Sequence, residues 1–268
     1  MKPSPWPYPL WIAHRGAGKL APENTLAAFR LGAQHGYSAF ECDVKLSADD
    51  VPFLLHDAAL ARTTRVEGVA GERPWAELSL LDAGGWHSRR YAGEPMATLA
   101  AIARYVRRNR FALNIEIKPT PGHDERTGRI VARDAARLWM HDPRPPLLSS
   151  FQPMALKAAQ EAAPALPRAL LLDSLWHGWQ QTAQSLGCVA VVADQTLVDG
   201  ALIDELHASG WRALAYTVND DAIARRLLDA GIDGLITDAV DHFSPTLSAD
   251  SQAPVAPDGN ATNASAPS

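Results

Sequence analysis

Cysteine is nearly absent: only Cys42 and Cys188 occur in 268 residues. No disulfide framework is implied, and a reducing compartment is expected. Nor does any run approach the roughly 18 uninterrupted apolar residues that a membrane span needs. The opening stretch MKPSPWPYPL carries four prolines and no apolar h-region, so it does not read as a secretion signal. A cytoplasmic chain with no membrane partner is expected. Positive charge is the minority, 25 Lys and Arg against 30 Asp and Glu, for a net charge of −5. That argues against nucleic acid or an anionic lipid surface as the main partner, while leaving room for a local cationic pocket for a small anion. Lys and Arg are missing altogether from residue 244 onward, where Ala, Ser, Pro and Asp dominate. Such a stretch buries too little apolar surface to offset its ordering entropy, so 244–268 is expected to be a disordered tail. Its two glycosylation-like triplets, at Asn260 and Asn263, read as chance.

What is present is a repeated unit. SLGCVAVVAD, ASGWRALAYT and DAGIDGLITD each pass from a glycine into a short apolar run. Glycine ends a helix cheaply by taking the left-handed conformation. Leu202 with Leu206, and Ile223 with Leu227, keep the spacing of a buried helical stripe. Asp199 and Asn219 stand where helix N-caps are expected. The same signature appears at QHGYSAFECDV, after a helical segment over about residues 22–35. Further strand candidates are LWIAH, ALNIEIK, LLSS and RALLL. About eight β/α units between Leu10 and His242 predict an α/β fold, a closed (β/α)8 TIM barrel. No G-x-G-x-x-G follows the first strand, which weakens a dinucleotide-binding alternative. The expected organisation is an N-terminal extension over 1–9, a barrel over 10–243 and the tail. A small insertion over about 57–98 is expected between strands 2 and 3, because that stretch is too long for an ordinary connection.

In a barrel of this kind, chemistry belongs at the C-terminal ends of the strands. In FECDV, Glu41 and Asp43 share one face, ~6.6 Å apart at ~3.3 Å per residue, with Cys42 turned the other way. In ALNIEIK, Asn114, Glu116 and Lys118 share one face and Ile115 and Ile117 the other. The isoleucines need the helix layer, so the charged set faces inward. Three carboxylates, Glu41, Asp43 and Glu116, should therefore meet near one end. Crowding like charges is costly without a compensating cation or proton. All-oxygen ligation suits Mg²⁺, Ca²⁺ or Mn²⁺. The other reading is a structural ion network with Lys45, Lys118 or Arg15.

His14 ends the first strand, and His56 ends the run VPFLLHD. Each could be an ordinary hydrogen-bonded residue, or the two could form an acid/base pair. Arg15 and Lys118 add permanent positive charge on the same rim, suited to phosphate oxygens. Phosphate-ester cleavage is the chemistry that uses every member of this set.

HRGAGKLAPENTLAAF, FECDVKLSADDVPFLLHDAALARTT, NIEIKP, LLSSF, YTVN and GLITD occur in that order. Together they resemble the glycerophosphodiester phosphodiesterase family, and most closely its short cytosolic bacterial members, over about residues 11–242. The resemblance implies metal-dependent hydrolysis of glycerophosphodiesters to glycerol 3-phosphate and an alcohol such as choline, ethanolamine or glycerol. It implies one divalent cation, held by Glu41, Asp43 and Glu116. His14 and His56 are implied as the acid/base pair, with Arg15 and Lys118 on the phosphate. Phe151 falls where the family has an apolar substrate contact, and Tyr216 where many members carry tryptophan. The expected route has His14 as base activating the glycerol 2-hydroxyl and His56 as acid, followed by opening of a cyclic phosphate by water. Direct attack by water is the competing route. A lyase stopping at the cyclic phosphate and a non-catalytic barrel binding a phosphorylated metabolite are the alternatives, whereas an amide hydrolase would need H-x-H after strand one. Asn24 and Asp238 are expected to cap helices. His35, His177 and His207 are expected to be solvated; His87 lies in a segment that could overhang the site, while Trp86 and Tyr91, which could line a head-group pocket, are expected to anchor the loop.

Overall fold

Strand alternation divides the apolar residues into two cores. In the computed structural model, which describes residues 6–243 and 245, nine short strands form one sheet. They are Trp11–Ala13 (β1), Ala39–Leu46 (β2), Pro52–Leu54 (β3), Ala112–Ile117 (β4), Leu147–Ser150 (β5), Arg168–Leu172 (β6), Ala190–Asp194 (β7), Arg212–Tyr216 (β8) and Gly234–Thr237 (β9). The order is β1-β9-β8-β7-β6-β5-β4-β2, and β1 also pairs with β2 in parallel, which closes the ring. This is an eight-stranded parallel barrel with helices around it, the expected TIM architecture. β3 is an addition: it pairs antiparallel with the far end of β2, Val44 opposite Leu54, and stands outside the barrel wall.

Ile12, Ala39, Ala112, Leu147, Ala169, Leu171, Ala190, Val192, Leu214 and Ile236 fill the barrel. Their neighbours along the strands, Cys42, Ile115, Ile117, Leu170 and Val191 among them, pack outward against the helices in a second, larger core. Each fully buried side chain of this size contributes about 1.5–3 kcal/mol of burial. Helix Leu99–Arg108 (α4) illustrates the match of pattern to packing. Thr98 caps it by accepting from the Ala101 amide at 3.1 Å, and Leu99, Ile102 and Val106 put one stripe into the outer core. The alanines at the lower end of the barrel leave space that the N-terminal segment fills. Trp6 and Tyr8 stack edge to face at 4.6 Å against this inner core, and the Tyr8 hydroxyl donates to the Pro145 carbonyl at 2.9 Å.

The stretch between β2 and β4 has a core of its own. Phe53, Leu55, Leu60, Ala70, Leu78, Ala83 and Met96 form it, with Trp75 packed alongside. Short helices Ala61–Thr64 (α2) and Trp75–Leu78 (α3) lie within it. The helices of the barrel are Leu26–Gln34 (α1), α4, Asp124–Leu138 (α5), Pro153–Ala162 (α6), Trp179–Ser185 (α7), Gly200–Ala208 (α8) and Asp221–Asp229 (α9). Asp199 caps α8 as expected, but Asp220 rather than Asn219 caps α9. Helix α1 starts later than expected, capped by Thr25, because Asn24 takes a left-handed conformation at φ 60 that cannot open a helix. Among the described residues no helix is long and apolar enough to cross a membrane. The expected tail, Pro245 aside, and the first five residues of the expected extension lie outside the described residues.

Candidate active site

Parallel pairing of β2 with β4 sets Asp43 opposite Glu116 and Glu41 opposite Asn114. One oxygen from each of Glu41, Asp43 and Glu116 lies within 4.8 Å of the others, and all three side chains are buried or nearly so. Their neighbours come from the turn between β1 and α1 and from the end of β4. The Arg15 amide donates to Glu41 Oε2 at 3.1 Å, and Arg15 Nε lies 3.2 Å from Asp43 Oδ2. Lys118 Nζ is 2.8 Å from Glu116 Oε1 and 3.4 Å from Asp43 Oδ1. Asn24 grips Asp43 twice: its Nδ2 donates to Oδ2 at 2.8 Å, and its Oδ1 accepts from the Asp43 amide at 3.1 Å. Asn24 therefore clamps Asp43 instead of capping α1. Lys45, proposed above as a partner for the acids, instead donates to the Lys118 carbonyl at 2.9 Å; burial brings its pKa down to about 8.

Three carboxylates face two permanent cations, and their titration reflects the imbalance. Burial, then repulsion from Asp43 and Glu116, pushes Glu41 well above the ordinary carboxylate range. Burial and Asp43 push Glu116 up to about 7 despite Lys118. Asp43 goes the other way. Burial would raise it, but Arg15 and Lys118 outweigh that and hold it ionised. Glu41 Oε1 and Asp43 Oδ1 are buried without any hydrogen bond. With Glu41 Oε1 unpartnered and Asp43 Oδ1 meeting only Lys118 at 3.4 Å, this all-oxygen set fits a hard divalent cation, since burying such atoms without full compensation is costly. These residues could hold one ion between them.

The two imidazoles stand on either side of this cluster. His14 Nδ1 is 2.7 Å from Asp238 Oδ1, and His14 Nε2 is 3.7 Å from Glu41 Oε2. His56 Nδ1 is 2.7 Å from Asp57 Oδ1. Both carboxylates are held below their usual range: Asp238 mainly by its contacts with His14, which outweigh burial, and Asp57, down to about 2, first by Arg62. An ionised carboxylate can only accept, so each Nδ1 donates and each Nε2 faces inward with a lone pair in the neutral form. Burial lowers the His56 pKa, and nearby Arg15 and Lys118 lower it further, against the pull of Asp43 and Asp57. Behind His56, Arg62 joins Asp57 at 2.6 Å to Glu23 at 2.7 and 2.8 Å, and Glu23 reaches Arg15 at 3.1 Å. This bridge ties the β2–β4 connection, which carries His56, to the turn that carries Arg15.

His14, Arg15, Glu41, His56, Glu116 and Lys118 open onto one cavity of about 280 Å³. Phe151 and Tyr216 form its opposite wall, edge to face at 5.8 Å, with Lys118 Nζ 5.7 Å from the Phe151 ring centre. The Tyr216 hydroxyl is held by the Leu172 carbonyl at 3.2 Å. All nine residues singled out from the sequence thus lie in or directly behind this cavity. His87 does not reach it: its ring meets the Lys19 carbonyl at 3.0 Å and packs between Trp86 and Tyr91, which anchor the insertion as expected. His35, His177 and His207 are all exposed, as expected, and His207 also pairs with Asp233 at 2.7 Å.

Asp238 was missed. Read as a helix cap, it is the orienting partner of His14; its position at the end of the last strand was the available signal. Gly18 lets the turn after β1 lie directly against the Asp238 backbone. It takes φ +54, and a Cβ there would stand 2.1 Å from the Asp238 carbonyl oxygen. Gly18→Ala is expected to destabilise the fold by more than about 1 kcal/mol, since it combines a disfavoured φ with a backbone clash. It should also lower turnover in the molecules that remain folded. Denaturant titration and activity per folded molecule check the two parts.

The glycerophosphoryl diester phosphodiesterase family model matches residues 14–242. A glycerophosphodiester phosphodiesterase of Caldanaerobacter subterraneus subsp. tengcongensis is 32% identical over 238 residues, 85% of this chain and 93% of that protein. Among solved structures, a phosphodiesterase of Oleispira antarctica in complex with the product sn-glycerol-3-phosphate is similar. It has 34% identity and a TM-score of 0.80, covering 86% of this chain and 93% of the other. A glycerophosphodiester phosphodiesterase of Agrobacterium tumefaciens has 27% identity and a TM-score of 0.74, covering 87% and 97%.

Proposed function

Because the chain belongs to the glycerophosphoryl diester phosphodiesterase family and is a phosphoric diester hydrolase, we propose that it releases glycerol 3-phosphate and an alcohol from glycerophosphodiesters, with His14 and His56 as its proton carriers. The observation that carries this reading is convergence. Two carboxylate-backed imidazoles, an arginine and a lysine open onto one small cavity beside three clustered acids. The bound product of the Oleispira relative supports the substrate class.

Glu41, Asp43 and Glu116 would hold one divalent cation, Mg²⁺ or Ca²⁺ with Mn²⁺ as a third candidate, which when bound polarises a phosphoryl oxygen. Arg15 and Lys118 hold the phosphate and offset its growing negative charge. His56 enters the reaction neutral because its pKa is lowered, which suits it to take the proton of the attacking hydroxyl at Nε2. His14 then gives a proton to the departing alcohol, and water opens the cyclic phosphate with the roles exchanged. This order reverses the one expected from the sequence. Phe151 and Tyr216 pack against the organic part of the substrate.

The test is a panel of glycerophosphocholine, glycerophosphoethanolamine and bis(glycero)phosphate followed by phosphorus NMR. Glycerol 3-phosphate should accumulate from all three at similar rates, because the charged groups of the cavity gather around phosphorus rather than the departing alcohol. A cyclic phosphate as the end product would replace this route with a lyase, and an unchanged panel would overturn this substrate class.

A further inference from the structure

We propose that Asn114 is a specificity-determining residue, whose carboxamide reads a hydroxyl of the glycerol group at the inner end of the cavity. The inward residues of β4 climb from Asn114 through Glu116 to Lys118, ~6.6 Å per step, so Asn114 lies deepest. It is 5% exposed and lines the cavity together with Leu171 and Ile236, which offer no polar side-chain group. One end of its carboxamide is anchored: Oδ1 accepts from Ser149 Oγ at 2.9 Å, and Ser149 is fully buried. The other end has no partner among the described residues, although an amide nitrogen carries two donors.

An amide donor on the wall of a cavity, with no acceptor among the described residues, can take one from the ligand. The flanking charges restrict what that can be. Glu41 stands opposite Asn114 in the register and Glu116 is the next inward residue, whereas the permanent cations Arg15 and Lys118 stand nearer the rim, so an anionic group is better placed above this depth. A neutral hydroxyl is compatible, and it would serve equally well if the carboxamide were turned over, because it can donate as well as accept. Phosphate belongs one step higher, beside Arg15 and Lys118. The end of the substrate below it is the glycerol group, and the departing alcohol faces the mouth. This inference rests on the glycerophosphodiester reading above.

The experiment compares kcat/KM for glycerophosphocholine and for its analogue lacking only the primary hydroxyl, in which the 2-hydroxyl and phosphocholine are kept. The wild-type protein should prefer the glycerol compound by about tenfold or more. In Asn114→Leu, which is close in shape, the preference should collapse through loss on the glycerol compound alone; Asn114→Ala serves if the leucine variant does not fold. Equal losses on both substrates, or a wild-type protein that ignores the missing hydroxyl, would overturn the role of Asn114 while leaving the phosphodiesterase reading intact. A wild-type protein that turns over neither compound would instead overturn the substrate class and this inference with it.

Discussion

His14→Ala is expected to reduce kcat on glycerophosphocholine by about 10²- to 10⁴-fold, the usual weight of a positioned general acid or base. The loss should fall on kcat more than on KM, because Arg15 and Lys118, proposed to hold the anion, stay in place. His56→Ala should cost a similar factor. The double variant should cost little beyond either single one, since each imidazole needs the other to complete a proton cycle. The pH dependence has a defined sign. A lowered His56 pKa keeps that ring neutral down to more acid pH than an ordinary histidine, so its limb of the kcat/KM profile should lie on the acid side and vanish in His56→Ala. Stopped assays from pH 5 to 9 on folded variants provide the check. Either alanine variant retaining near-wild-type kcat would remove that histidine from the chemistry.

Chelation is expected to abolish turnover, and adding back Mg²⁺, Ca²⁺ or Mn²⁺ to restore it. Glu116→Gln keeps the volume and removes one negative charge, so cation affinity should fall by at least about 100-fold. Loss of a mere outer-shell partner already costs 10- to 100-fold in metal sites. Without a cation, Glu116 holds its proton up to about 7 and Glu41 is raised as well. The ion must displace those protons, so affinity should weaken as pH falls through 7, with protons released on binding. Calorimetric titration in buffers of different ionisation heat counts them. Full activity after thorough chelation, or binding that ignores pH, would count against the three-acid cation site.

Much of this was legible in the sequence because it depends on strand alternation. The isoleucines at 115 and 117 must meet helices, so Asn114, Glu116 and Lys118 must face the barrel; the same logic turns Cys42 out and Glu41 and Asp43 in. The strand ends gave His14 and Arg15. Pairings set by loop conformation were not legible. Asn24 looked like a cap, yet its left-handed backbone hands the capping role to Thr25 and frees its carboxamide for Asp43. Asp238 and Arg62 act across 224 and 39 residues of sequence, distances over which local patterning carries no signal. β3 was seen as an apolar run but not as an antiparallel partner of β2, because its pairing is decided by the turn at residues 47–51.

The two imidazoles both lean on the barrel, the second through β3 and β2, but they do not share one apolar core. His14 grows directly from the barrel wall, whereas His56 follows Leu55, part of the separate cluster of Phe53, Leu60, Leu78 and Met96. A satellite of that size can melt on its own before the parent fold does. Heat would then strip the enzyme of one of its two proposed proton carriers while the acids and the other histidine stayed assembled, leaving a protein intact by bulk criteria and already inert.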